Sequence, residues 1–252
     1  MKKIGYFLIV FLFLSCKGEK GLVISTDEID RYVADKSGES QLYDVTQSLR
    51  FSKANETYEV VEYLQNDTVI LYIETHVTEE EQVIRQTFFK NGVPIYVDEY
   101  FASNLVENPF SQRKIYLDGV NAIRSFSKTA EYEDDLEFIE FADASILIDE
   151  FDFDRPKNAM LQQGDYEMKF EEFIIIDPQT YLILENSTSN YDVALFVTEA
   201  HPLLDELYAN QAGNKGRTIF VTHQFVLMSG IERMLFMDGY FVEDPEIEED
   251  VN

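Results

Sequence analysis

At 252 residues, with 45% hydrophobic and 14% aromatic content, the chain is long and apolar enough to bury a core, which excludes disorder along its whole length. Its 48 acidic residues against 20 basic ones give a formal charge of −28, which argues against nucleic acid or anionic lipid head groups as partners of the protein body. A single cysteine excludes a disulfide framework, and 20 Phe and 15 Tyr without Trp suit half-buried strands.

In chain order, Lys2 and Lys3 come first, then an apolar run from Ile4 to Leu14, then Ser15 and the lone Cys16. The run is shorter than the ~20 residues that span a bilayer core, and its layout is that of a secretory signal. Phe13-Leu14-Ser15-Cys16 resembles the lipobox of bacterial lipoproteins, of a Bacteroidota-like kind. Ser15 fits the small position before the cysteine, and Phe13 departs from the usual Leu. The resemblance implies that the Cys16 thiol takes a diacylglyceryl group, that the chain is cut before it, and that the new amino group is acylated. Residues 1–15 are then a signal peptide and 16–24 the lipidated cysteine with its tether. Several acyl chains anchor stably where one does not, so the expected partner is the membrane, through lipid on Cys16. In the sorting rule of such lipoproteins Asp after the cysteine retains them at the inner membrane. Lys17 stands there instead, so the expected place is the outer membrane of the cell envelope, facing the periplasm. Cleavage would also remove Lys2 and Lys3 and take the charge near −30.

Residues 25–242 read as one acidic, mainly antiparallel β domain with one or two short helices. Thr26 to Val33 opens on an N-cap and an acidic first turn, with Ile29, Tyr32 and Val33 at helical spacing, and Lys36 to Ser40 is a polar break. From Glu56 the pattern changes to strands. Residues 58–64 and 68–77 flank the turn Gln65-Asn66-Asp67, and 82–89 and 93–100 flank Asn91-Gly92. Pro94 suits an edge strand or a strand start. Phe89 to Val93 recurs as Tyr116 to Val120 and, more loosely, as Leu227 to Ile231, in each case a turn pair ending in Gly. The first two resemble turns of bacterial MORN-like repeat proteins, but no fixed period is visible, and hairpins alone explain the theme. Tyr132 to Asp154 is the most acidic block and alternates much as a sheet with one wet face does. A linker, or a division into two sub-domains, is expected near 156–164. Strands follow at 166–176, 181–184 and 191–197, then a helix at 201–209 with Pro202 in its first turn, a hairpin of 218–228 and 231–242, and an acidic tail at 243–252.

No catalytic motif stands out, and neither an enzyme nor a cofactor is assigned. Asp149, Asp152 and Asp154 are candidate ligands for a hard cation, but Lys157 stands where a calcium loop needs Gly and Gln163 where it needs Glu, so the polar face of a strand is the better reading. His76, His201 and His223 lack metal-ligand spacing. Asp67-Thr68-Val69 resembles the O-glycosylation acceptor of Bacteroidota, which would place a glycan on Thr68; an ordinary turn explains it equally. The expected function is binding or scaffolding in the envelope, with a protein or glycan partner and no nucleic acid. A carboxylate-based hydrolase of glycan or cell wall, and a lipid or lipoprotein carrier with an apolar cavity, are the alternatives.

Overall fold

A computed structural model describes residues 25–119, 121–145 and 151–243. The signal, Cys16, Asp149 and the tail from 244 onward lie outside the described residues.

The first helix, α1 (Thr26–Gly38), is set by a capping box. The Ser25 hydroxyl accepts from the Glu28 N–H at 3.4 Å, while the Glu28 carboxylate accepts from the Ser25 N–H at 3.0 Å. The helix runs through most of the expected polar break, where Lys36 pairs with Glu39 at 2.8 Å and reaches Gln65 at 3.1 Å. Its inner face carries Ile29, Tyr32 and Val33 onto an aromatic patch of Phe88, Tyr96 and Tyr116.

Two short strands, β1 (Asp44–Gln47) and β2 (Phe51–Lys53), precede a meander: β3 (Glu56–Gln65), β4 (Thr68–Val77), β5 (Glu81–Lys90), β6 (Val93–Ser103), β7 (Phe110–Leu117) and β8 (Ala122–Ala130). The turns are those the sequence demands. Asn66-Asp67 and Asn91-Gly92 all have positive φ (52°, 59°, 55° and 77°), the backbone twist that closes a two-residue hairpin without splaying its strands. Ser229-Gly230 (54° and 79°) does the same for the last hairpin. Pro94 stands at a strand start, opposite Phe89 in an interior strand.

The acidic block departs from expectation. Glu133–Phe138 forms a 3-10 turn, and among the block's described residues only β9 (Ala142–Asp143) forms a strand, paired with β8. Within the turn Leu136 is buried and Phe138 is 81% exposed, so the alternation of the sequence does not become an alternation of faces. Three successive acids at 133–135 lie in the first turn of that 3-10 segment, all exposed.

The second half holds α2 (Arg155–Met160), β10 (Lys169–Ile176), β11 (Gln179–Asn186), β12 (Tyr191–Val197), α3 (Pro202–Ala209), α4 (Gln211–Asn214), β13 (Ile219–Met228) and β14 (Ile231–Phe241). The fold is thus mostly β, with more short helices than the sequence suggests. The stretch expected as a linker contains α2, whose Pro156 and Ala159 are buried. Along one 14-stranded sheet the order is β10-β11-β12-β2-β3-β4-β5-β6-β7-β8-β9. β1 is attached to β3, and the β13–β14 hairpin joins through β14 to β12. The pairings are antiparallel except for the single β12–β14 bridge, Phe196 to Leu235. The main core gathers Leu49, Phe51 and Tyr58 from the first half with Met168, Leu182, Leu195, Leu204 and Val221 from the second.

Candidate functional site

A cleft of about 990 Å³ lies between β1, α2 and β13, with the β3–β4 and β5–β6 hairpins forming its floor. Its walls are largely apolar: Val45, Leu49, Val69, Phe89, Met160 and Phe225. Each wall comes from a different local rule. Leu49 and Phe51 stand two apart, so both turn inward from the extended segment joining β1 and β2. Met160 ends α2, which is started by the Asp152 carboxylate accepting from the N–H groups of Asp154 (3.0 Å) and Arg155 (3.2 Å).

A few polar groups converge on the cleft. Glu62 accepts from Thr46 Oγ1 at 2.9 Å and from the Tyr72 hydroxyl at 3.0 Å. Burial, with Glu62 beside it, pushes the Tyr72 phenol above its usual range. His223 is held down to about 4 by burial, partly offset by a bond to the Ser48 backbone, so the ring is neutral at physiological pH. The side chain of Gln162 meets the backbone of β13 twice: its Nε2 donates to the Val221 carbonyl at 2.7 Å, and the Val221 N–H donates to its Oε1 at 3.2 Å. Asp154 and Lys157 also line the cleft, both exposed, and Lys157 has no ionic partner among the described residues.

A second constellation lies on the same sheet but outside the cleft. Glu74 of β4, Arg85 of β5, Glu99 of β6 and Arg113 of β7 stand directly opposite one another across four strands. Arg85 reaches Glu99 at 2.8 Å and Glu74 at 3.7 Å, and Arg113 grips the other Glu99 oxygen. The Glu74 carboxylate also accepts from the Tyr58 hydroxyl at 2.8 Å, and burial pushes its pKa up. Phe151 covers the two arginines, 4.6 Å from Arg85 and 5.8 Å from Arg113, while Arg155 lies 4.0 Å over Tyr58. These acids are saturated by cations and hydroxyls, the arrangement of a register lock rather than of a reactive pair.

Of the residues singled out by sequence, Asp152 lies two residues before the N-cap of α2, its carboxylate bonded to the turn that leads into the helix, and Asp154 is that N-cap, exposed on the cleft rim. Neither lies on a strand, and the neighbouring Phe151 stacks on Phe153 at 6.2 Å. No group of three or more His, Cys, Asp or Glu able to hold a metal occurs among the described residues. Thr68 is exposed at the first position of β4, beside the 66–67 turn. His201 caps α3, accepting from the Leu203 N–H at 3.2 Å, and His76 meets Glu56 at 2.9 Å. Leu49, Met160, Gln162 and Phe225 were not foreseen as a site. The period-two pair Leu49 and Phe51 was the available signal for one wall. Comparison with protein-family models, curated proteins and solved structures finds no match to this chain.

Proposed function

We propose that this chain is a lipid-anchored envelope protein, held at the outer membrane through Cys16, whose β domain binds an apolar ligand segment in the cleft and does not turn it over. The observation that carries this reading is the cleft itself. Its volume of about 990 Å³ falls at the upper end of the ~300–1,000 Å³ typical of ligand sites, and its few polar groups sit among apolar walls. Turnover by a carboxylate pair has less support. The buried acids Glu74 and Glu99 are occupied by Tyr58, Arg85 and Arg113 and do not line the cleft.

Two experiments test the two parts separately. Cys16→Ser should release the protein from the membrane fraction or leave the precursor uncut; entry of radiolabelled palmitate into that variant refutes the anchor. The purified Cys16→Ser protein should then bind the apolar dye N-phenylnaphthylamine saturably. Val45→Glu, placed on an exposed cleft residue, should weaken binding about tenfold or more by putting a charge in the apolar wall. Unsaturable dye uptake, or equal uptake by the variant, refutes the cleft.

A further inference from the structure

Residues 45–49 of β1 and its exit and residues 220–225 of β13 both line the cleft, and among the described residues β1 pairs with β3 alone. β13 pairs with β14, and on its other side β10 reaches only the start, through the Lys169–Thr218 bridge, so from Val221 onward that edge has no strand neighbour among the described residues.

The outer edge of β13 already shows what it recognises. At its start the Ile219 N–H takes the Met168 carbonyl at 3.0 Å, as a neighbouring strand would offer. At Val221, two residues on, the Gln162 carboxamide supplies one donor and one acceptor to the backbone, the same pair that a peptide group presents. Gln162 holds this position from a left-handed backbone (φ 50°), a conformation uncommon for a residue other than glycine. By the alternation of an antiparallel pair, His223 and Phe225 present their N–H and C=O on that same edge, along the cleft.

The charge around the cleft selects the occupant. Glu62 and Asp154 line its walls against Lys157, and Arg50, which lies 5.0 Å over Phe225, is already paired with Glu59 and Glu232, within a chain of formal charge −28. An acidic segment is repelled and a basic one attracted. We infer that the cleft receives an extended basic segment of a partner protein, added as a strand antiparallel to the outer edge of β13, with Gln162 holding the place of one of its peptide groups. Main-chain hydrogen bonds supply the affinity, and Val45, Leu49, Met160 and Phe225 receive the apolar side chains that alternate with basic ones. This rests on the cleft being a binding site and names its occupant.

The test uses a short fluorescein-labelled peptide of alternating Lys and Val, titrated into the purified Cys16→Ser protein at about 0.15 M salt and read by anisotropy. Saturable binding is expected, together with slowed hydrogen exchange at the His223 and Phe225 amides. A Glu-Val peptide should not bind. A Lys-Val peptide N-methylated at alternate residues keeps its charge but loses main-chain donors, and should bind about tenfold more weakly or worse. Gln162→Ala, which frees Val221, should tighten the Lys-Val peptide severalfold; the methylated peptide tests the same point on unaltered β-domain residues. Equal binding of the methylated peptide, binding of the Glu-Val peptide, or a peptide-independent dimer that protects the β13 edge overturns the inference. If N-phenylnaphthylamine binds and the Lys-Val peptide does not, the occupant is an acyl-like ligand and the apolar cleft stands; if neither binds, both readings fall.

Discussion

Replacing Glu99 by Gln keeps the shape of the side chain and removes its charge at the centre of the cross-strand ladder. The Glu99 side chain is 1% exposed; Arg85 reaches one oxygen at 2.8 Å and Arg113 the other at 2.8 Å. A carboxamide offers one oxygen and turns its NH₂ toward a guanidinium, so one arginine loses its acceptor where water barely reaches. Breaking a buried ion pair from one side costs about 3–5 kcal/mol. The Arg113 side chain is 31% exposed and can hydrate in part, which places the cost near the lower bound, about 3 kcal/mol. For a protein of this size that is a fall in Tm of roughly 6–12 °C. Urea unfolding of the Cys16→Ser protein should show a lower midpoint at unchanged m. The control is Glu206→Gln, which breaks a pair with Arg217 whose side chains are 59% and 46% exposed, and should cost under about 0.5 kcal/mol. A loss at Glu99 under about 1 kcal/mol, or no larger than the loss at Glu206, refutes the reasoning.

Acid sensitivity should trace in part to His223. Its folded pKa, about 4, lies below the ~6.5 of an unfolded chain, so it contributes stability above the unfolded value that is lost as pH falls from ~6.5 toward ~4, at most about 3 kcal/mol. His223→Gln should lose that dependence, and parallel urea midpoints of variant and parent between pH ~7 and ~4.5 would contradict it. Gly239→Ala should destabilise by about 1–3 kcal/mol, because the added Cβ meets the Phe220 carbonyl and Leu203 Cδ2, both at 2.9 Å, and the carbonyl belongs to a paired strand. An unchanged thermal midpoint would show that β14 can shift away from α3 freely.

The hairpins were legible because their turns carry chemistry. Asn-Asp and Asn-Gly pairs accept the left-handed backbone, and the flanking β-branched and aromatic runs have no competing pattern. β1 and β2 were missed because strands of four and three residues are too short for a period to register. The acidic block misled because alternation was read as a strand, while among its described residues β8 pairs with only Ala142 and Asp143. The ladder was half legible. Glu74, Arg85, Glu99 and Arg113 each look like surface charge on their own strand, and only the register brings them into one row. The cleft was not legible at all. Its walls come from 45–49, 160–162 and 220–225, and no spacing within the sequence ties those segments together.

The place where β2 meets β12 has a consequence for how the chain is made. Each strand of the meander from β3 to β8 finds its partner in the next stretch of sequence, so that half can pair as soon as it emerges. β2 and β12 are joined by one register pair, Ser52 with Asp192, and β12 is not available until most of the chain has been synthesised. Until then one side of β2 is an unprotected edge, the kind of surface that recruits a stray strand from another chain. On the proposed route to the envelope, the chain would spend its passage across the membrane with that edge open. The slow step in its maturation should be the arrival of the C-terminal half rather than the forming of any single hairpin.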